Sequence, residues 1–120
     1  MTRLRLRDAG LAVGELPTGP LNAITDVPGV RVGHTTLIRG GGALRPGDGP
    51  VRTGVTVILP HEDDPFRHKV RAAVHTLNGF GKAHGFEQVP ALGVLESPVA
   101  LTNALNQGPV AHALVQSAAR

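Results

Sequence analysis

The sequence has 120 residues and a formal net charge of +3, and it contains no Cys, Trp or Tyr. This length suits one small domain or a piece of a larger one. A cysteine-free chain has no disulfide, thiolate nucleophile, zinc finger or iron–sulfur ligand set. No apolar run approaches the roughly 20 residues that cross a bilayer, and no secretory leader is evident. We therefore expect a cytoplasmic protein without a membrane partner. The charge is too dispersed to indicate nucleic-acid binding.

The whole chain has 16 Gly and 10 Pro, which favours short strands joined by turns, and its first half is predicted to be mainly strand and turn. Arginine and leucine alternate over residues 3–7, which predicts an edge strand with one charged face. Residues 30–38 and 53–59 are rich in β-branched side chains and predict two strands. The second of these ends in an apolar run that is typical of burial on both faces. The glycine-rich residues 39–50 between them predict a loop.

The second half is predicted to be mixed. Residues 60–65 form an acidic turn. The spacing of the apolar residues over 66–77 fits either one face of a helix or a strand. Asn78-Gly79 is expected to end this element in both cases. Residues 89–95 predict a further strand.

A helix is predicted over residues 110–119, with Pro109 tolerated in its first turn. No glycine cap or polar tail follows this helix, so we expect the chain to be part of a longer one. No internal repeat or linker divides residues 1–120, which predicts a single domain that is incomplete alone.

The histidines do not predict a metal site. His61, His68 and His75 are spaced by seven residues, which is a rise of about 10 Å on a helix. Ligands of one zinc ion must all lie within about 2.1 Å of it. A solvated turn explains the acidic residues after His61 equally well, so we expect no metal.

The sequence also does not match the phosphate-binding and dinucleotide-binding motifs. The P-loop pattern requires glycine where Thr76 stands and Ser or Thr where Ala83 follows Gly81-Lys82. The dinucleotide pattern requires a third glycine where His84 stands. These glycines instead favour positive φ and close packing of the backbone, and we expect no cofactor.

The nucleophile candidates are few. Ser97 is flanked by Glu96 and Pro98 rather than by the glycines of a nucleophile elbow. Ser117 lies in the predicted terminal helix. Thr2 would become N-terminal if Met1 were removed, and its α-amine would then serve as a base for its hydroxyl. None of these residues makes a convincing catalytic set.

Four segments, in order, closely resemble the L-aminopeptidase/D-esterase family, the DmpA-like enzymes that include the β-peptidyl aminopeptidases. They are LNAITDVPGVRVGHTT at residues 21–36, RTGVTVILP at 52–60, LNGFGK at 77–82 and LESPVALTN at 95–103. The third segment has Lys82 where glutamate is common in the family. Together the segments cover most of residues 21–110.

The resemblance implies an α/β (α+β) fold, part of a four-layer α-β-β-α sandwich similar to that of the N-terminal nucleophile hydrolases. In such enzymes a precursor cuts itself ahead of an internal Ser, whose new α-amine and hydroxyl become base and nucleophile. They release N-terminal L-, D- or β-amino acids from peptides, amides or esters through an acyl-enzyme, without a metal.

The matched part does not contain the family's catalytic residues. The nucleophilic Ser, its Ser/Glu supporting pair, the oxyanion Asn and the amine-binding acid all lie beyond it. Pro follows Ser97 and Ala follows Ser117, so neither fits the self-cleavage pattern. We therefore assign no catalytic residue, and the substrate-binding residues stay unknown. Glu96 and Asn103 are interpreted as a strand-end cap and a turn stabiliser.

Three functions are compatible with these residues. The chain is either the N-terminal, α-chain-like part of a serine aminopeptidase, inactive by itself, or a subunit that a separate nucleophile-bearing chain complements. The alternative is a non-catalytic binding or assembly module that retains the front half of the fold. The expected partners are therefore the complementary chain or other subunits, with a small peptide, amide or ester as the substrate of the complete enzyme.

Overall fold

A three-stranded antiparallel sheet is the largest regular element of the protein. The structure, a computed structural model, describes residues 4–119. Its strands and α-helices are, in chain order, β1 (Arg31–Arg39), β2 (Val51–Leu59), β3 (Val70–Arg71), α1 (Gln88–Leu92), β4 (Val94–Leu95), β5 (Val99–Leu101) and α2 (Gln107–Ala118). Three short 3-10 turns lie at Arg7–Ala9, Ile24–Asp26 and Ala104–Asn106. The large sheet has the order β1-β2-β5, and β3 pairs with β4 in a second sheet.

Strands β1 and β2 form a hairpin nine residues long on each side, with Arg31 opposite Leu59 and Arg39 opposite Val51. This confirms both strands predicted from the β-branched runs, each within two residues of its predicted start. β5 then pairs with β2 on the opposite side, with Ile58 opposite Val99. Because side chains alternate between faces along a strand, this register determines which residues share each face.

The guanidinium group of Arg52 connects β1 and β2 at the end of the hairpin next to its loop. Arg52 donates hydrogen bonds to the carbonyl oxygens of Arg39, Gly40 and Val51 at 2.9, 2.8 and 2.7 Å. The glycine-rich residues 40–50 beyond it form the predicted loop, which turns at Arg45. The Arg52 bonds thus hold the ends of β1 and β2 together where the loop leaves them.

The predicted strand over residues 89–95 is wrong in its first part. Residues Gln88–Leu92 form the short helix α1, and only Val94–Leu95 is strand. Gly93 ends the helix with a left-handed φ of 69°, and its N–H bonds to the carbonyl of Val89. Pro90 lies in the first turn, where a missing N–H costs no helical hydrogen bond. This local geometry outweighs the strand preference of Val89.

The predicted edge strand over residues 3–7 is also wrong for the part that the structure describes; Arg3 lies outside the described residues. Arg7–Ala9 is a 3-10 turn. The Asp8 carboxylate accepts the N–H of Arg5 at 3.0 Å, and Gly10 closes the turn with a left-handed φ of 78°. The turn chemistry of Asp8 and Gly10 overrides the alternation before them.

Residues 66–77 contain neither a long strand nor a helix. Val70–Arg71 forms β3, and residues 72–78 have no regular secondary structure. The predicted helix after Gly108-Pro109 is confirmed as α2, which begins three residues earlier than expected and ends at Ala118. None of the helices in residues 4–119 has the length and apolar character needed to cross a membrane.

The chain buries little of its own surface. Its accessible area is 10163 Å², whereas a folded monomer of 12.4 kDa exposes about 6,100 Å². The radius of gyration is 17.2 Å, against about 14 Å for a compact domain of this length. Val89, which is 7% exposed, is the one buried side chain among residues 4–119. The sheet therefore stands with most of its apolar side chains accessible.

Candidate functional site

The candidate nucleophiles are not paired with a base. Ser97 is exposed, and its hydroxyl donates to the carbonyl of Pro98 at 3.2 Å. Ser117 is exposed in the last turns of α2. Thr2 lies outside the described residues. Within residues 4–119, neither serine hydroxyl contacts a histidine or carboxylate side chain, so no nucleophile–base pair is assembled there.

Glu96 belongs to a polar cluster at the end of the small sheet. Because Val70 lies opposite Leu95, Lys69 and Glu96 are brought side by side just beyond the paired strands. The Nζ of Lys69 lies 3.4 Å from the carboxylate of Glu96. It also donates to the carbonyl of Phe66 at 2.6 Å and sits 4.4 Å from the centre of the Phe66 ring. Gln88 donates to the other Glu96 oxygen at 2.6 Å.

These contacts hold Glu96 in its charged form. The hydrogen bond from Gln88 lowers the pKa of Glu96, and the ammonium of Lys69 lowers this pKa further. A carboxylate whose oxygens are already occupied by a donor and a cation is a weak proton acceptor. The geometry therefore gives Glu96 a structural role, joining α1 to the β3–β4 pair, as its position after a strand had indicated.

Asn103 stabilises the turn that precedes the terminal helix α2. Its Oδ1 accepts the backbone N–H groups of Leu105 and Asn106 at 3.0 and 3.1 Å. Its Nδ2 donates to the hydroxyl of Thr53 on β2 at 2.5 Å. The neighbouring Thr102 hydroxyl donates to the carbonyl of Gly54 at 3.0 Å. Asn103 is thus the turn stabiliser that the sequence predicts, and it also attaches that turn to the central strand.

The three spaced histidines do not converge. The Nε2 of His61 lies 2.6 Å from the carbonyl of His68, and the Nδ1 of His61 is buried without a partner. His75 is exposed in the irregular segment. Across residues 4–119, no three side chains of His, Asp or Glu come together in a way that would hold a metal ion.

The Asn-Gly segment forms a tight exposed turn. The side chain of Asn78 accepts the N–H of Phe80 at 3.0 Å, and the Phe80 ring is 93% exposed. Lys82 follows on the same irregular stretch. No helix follows directly, so the glycines here do not form the strand–loop–helix cradle that a phosphate site requires.

Asp26, within the first quoted segment, closes a turn before β1. Its carboxylate accepts the N–H groups of Leu21 and Ala23 at 2.9 and 3.1 Å. The hydrogen bond from Ala23, followed by that from Leu21, lowers the pKa of Asp26. Arg5 donates to the carbonyls of Leu21 and Asn22 from outside the turn. This part of the segment shapes the backbone and presents no reactive group.

One polar pair was missed by the sequence reasoning. The Nδ1 of His34 lies 2.9 Å from the Thr56 hydroxyl, across β1 and β2. The available signal was alternation: on the predicted strand, His34 shares a face with Val32, Thr36 and Ile38. Only the register of the sheet identifies Thr56 as the partner of His34.

Comparison with known proteins decides the family. The model of peptidase family S58 matches residues 22–120. The chain belongs to peptidase family S58. It is 44% identical over 111 residues to the β-peptidyl aminopeptidase BapA of Sphingosinicella xenopeptidilytica, a match that covers 92% of this chain and 27% of that protein.

Two solved structures superimpose closely on this chain. A β-aminopeptidase from Burkholderia sp. is 46% identical with a TM-score of 0.81, over 95% of this chain and 31% of that one. The L-aminopeptidase D-Ala-esterase/amidase of Ochrobactrum anthropi is 43% identical with a TM-score of 0.79, over 95% and 31%. It is described as a serine aminopeptidase and a new variant of the Ntn hydrolase fold.

These matches confirm the family resemblance and the α+β fold of the Ntn hydrolase type. The chain corresponds to the N-terminal part of its relatives and spans about a third of their length. Each relative therefore has additional sequence that is roughly twice as long as this chain.

Proposed function

We propose that this chain is the N-terminal, α-chain-like part of an S58 serine aminopeptidase whose nucleophilic Ser is supplied from outside residues 1–120. The complete enzyme releases N-terminal residues from small peptides, amides or esters, including β- or D-amino acids. The names of the relatives support this, since they are a β-peptidyl aminopeptidase and an L-aminopeptidase D-Ala-esterase/amidase. The chain's own role is to provide part of the scaffold for the site.

The observation that carries the proposal is the uncovered sheet. Apolar side chains lie on both faces of β1 and β2, yet the chain exposes 10163 Å² of surface. At about 25 cal/mol for each Å² of apolar area, leaving such a surface in water is unfavourable. Exposed apolar side chains on a sheet, such as Ile38 and Leu101, are typical of a face that another layer covers. A layer supplied by the nucleophile-bearing part meets that need.

The same proposal specifies the chemistry of the complete enzyme. The nucleophile-bearing part begins at a Ser released by self-cleavage, and its free α-amine activates the hydroxyl beside it. The hydroxyl forms an acyl-enzyme with the substrate, amide donors stabilise the oxyanion, and water completes the hydrolysis. We assign no step of this reaction to a residue of the chain described here, and no metal or cofactor takes part in it.

The assembly is proposed to be an oligomer in the cytoplasm. Its cysteine-free composition supports a reducing compartment, and the large exposed surface supports association with further subunits. Fractionation of the source cells, followed by size measurement of the native complex, tests both points. Recovery of the chain outside the cytoplasm, or as a monomer, would contradict them.

The decisive experiment is denaturing intact-mass measurement on the protein purified under native conditions from its own cells. We expect two species in equal amounts: this chain and a second chain that begins with Ser. The preparation should hydrolyse an L-, D- or β-aminoacyl nitroanilide. A single species near 12.4 kDa without activity would sink the proposal.

Two variants serve as controls for activity residing in this chain itself. The isolated chain is expected to be inactive, with or without Ser97→Ala. Turnover by the isolated chain that survives Ser97→Ala but disappears in Thr2→Ala would instead assign the nucleophile to an N-terminal threonine. That result would contradict the proposal that the nucleophile lies outside residues 1–120.

A further inference from the structure

One face of the large sheet combines apolar side chains with a histidine. We define the His34 face as the side of the sheet formed by the even-numbered residues of β1 and β2 together with Val99 and Leu101 of β5. The register places them together: Val32 lies opposite Ile58, and Ile58 lies opposite Val99. His34 lies opposite Thr56, which in turn lies opposite Leu101. The histidine therefore lies on a mixed face, beside threonines and among apolar side chains.

The His34 face is open in this chain. Ile38 is 65% exposed, Leu101 57% and Val99 37%. The matched relatives are about three times as long as this chain, so two thirds of their length is available to cover such a face. We take the occupant of the His34 face to be that remaining, nucleophile-bearing part, which rests on the function proposed above.

Covering this face creates a specific requirement at His34. Its Nδ1 is already engaged by the Thr56 hydroxyl at 2.9 Å. A neutral imidazole has one donor and one acceptor nitrogen, so Nε2 still needs a partner whichever tautomer is present. Among residues 4–119, no hydrogen bond involves this Nε2. A ring nitrogen that is removed from water without a partner destabilises the assembly.

We infer that the nucleophile-bearing part covers the His34 face and places a hydrogen-bonding group opposite the Nε2 of His34. The apolar neighbours supply the area of the contact, and the histidine fixes its register. A shift of the covering layer by one strand position would leave Nε2 without a partner, because alternate residues of a strand point to opposite faces. His34 is thus a determinant of correct assembly.

Two substitutions of His34 distinguish the contribution of Nε2 from that of Nδ1. His34→Asn keeps a polar atom near the position of Nδ1 and can retain the Thr56 contact, but it has nothing at the position of Nε2. His34→Gln extends its amide to about the position of Nε2. His84→Asn is the matched control, since His84 is an exposed histidine that lies outside both sheets.

The measurement is competition for the copurified nucleophile-bearing chain, between each unlabelled variant and fluorescently labelled wild-type chain. We expect His34→Asn to bind at least about tenfold more weakly than wild type. His34→Gln should bind within about threefold of wild type, and His84→Asn should bind like wild type. Circular dichroism of each free variant checks that its sheet content is unchanged.

Each other outcome overturns the inference in a recognisable way. Wild-type affinity in His34→Asn means that Nε2 meets no partner, while the proposed function stands. Equal weakening in His34→Asn and His34→Gln means that ring packing rather than Nε2 matters, which also overturns the inference. Failure of the wild-type chain to copurify with any second chain removes the proposed function, and the inference with it.

Discussion

Gly54 is the residue at which β1 and β2 leave the least room. A Cβ added there would lie 2.5 Å from the carbonyl oxygen of Thr35 and 3.4 Å from the Cα of Thr36. Both neighbours are backbone atoms of the paired strand, so the clash is relieved only by moving the strands apart. Gly54→Ala should destabilise the assembled protein by about 1–3 kcal/mol. Thermal or urea denaturation measures this.

The control for that substitution is Gly41→Ala. Gly41 lies in the hairpin loop, where an added Cβ meets nothing within 4 Å. We expect this variant to unfold at the same denaturant concentration as wild type. Equal stability of the Gly54 and Gly41 variants would show that the strands are not held at the spacing described here.

Glu96 should make the stability of the protein depend on pH. Its pKa is lowered in the folded state by Gln88 and Lys69, so its charged form contributes stability at neutral pH. That contribution is lost as the pH falls below about 4.3, the usual glutamate value, and through the lowered folded value. Wild type should therefore melt above Glu96→Gln at pH 7, and the difference should close in acid.

Melting curves between pH 7 and about pH 3 check this, with Asp63→Asn as the control. Asp63 is an exposed acid in the neighbouring turn, and its removal should leave the melting temperature unchanged at neutral pH. A difference between wild type and Glu96→Gln that persists at low pH would mean that packing, rather than charge, accounts for it.

Individual residues were predictable from sequence where their partners are local. Asn103 accepts N–H groups two and three residues ahead, a pattern that its residue type alone suggests. The partner of Glu96 is different, because Lys69 is distant in sequence and is delivered only by the β3–β4 register. His34 was overlooked for the same reason, since Thr56 becomes its neighbour only when the strands pair.

At the level of elements, α2 depends on the turn before it. Asn103→Ala removes the two caps on the Ala104–Asn106 turn and the bond to Thr53. Loss of such a cap costs about 0.5–2 kcal/mol. We therefore expect a lower melting temperature and a weaker helical signal in circular dichroism.

Thr53→Val distinguishes the two contributions. Valine has no oxygen to accept the Nδ2 hydrogen of Asn103, whereas the Asn103 Oδ1 still accepts the N–H groups of Leu105 and Asn106. The stability of Thr53→Val should lie between those of wild type and Asn103→Ala. If Thr53→Val is as unstable as Asn103→Ala, then the attachment to β2 accounts for the whole effect and the cap contributes little.

Elements were predictable where composition and periodicity agreed. Strands β1 and β2 are rich in β-branched residues, and the helix α2 has its proline in the first turn, where it is tolerated. The helix α1 was mistaken for strand because it contains the strand-favouring Val89 and is followed by Val94, while Gly93 and the early position of Pro90 favour a short helix. A helix of five residues is too short for its sequence to show the spacing of apolar residues that identifies a helix.

At the scale of the whole molecule, the isolated chain should differ measurably from a compact domain. Its radius of gyration is 17.2 Å, and small-angle scattering on a dilute sample should report a value nearer to this than to about 14 Å. At higher concentration the open sheet should cause self-association. A monomeric, compact chain that does not bind an apolar dye would contradict the uncovered sheet.

The need for a covering layer was only partly evident from the sequence. The apolar end of β2 indicated burial on both faces, and in the structure Val57–Leu59 is half-buried. The covering layer proposed above lies outside residues 1–120, so no local pattern in this chain could identify its chemistry. The same holds for the proposed Ser nucleophile.

The strand order β1-β2-β5 also determines when the sheet is completed during synthesis. β2 ends at Leu59 and β5 begins at Val99. A ribosome that adds about 5–20 residues per second delivers β5 about 2–8 seconds after β2. During that interval the finished hairpin carries an unpaired β2 edge with a valine-rich sequence. Nascent chains are thus most exposed to mispairing between neighbouring ribosomes, and a chaperone present at that moment would raise the yield more than one added after release.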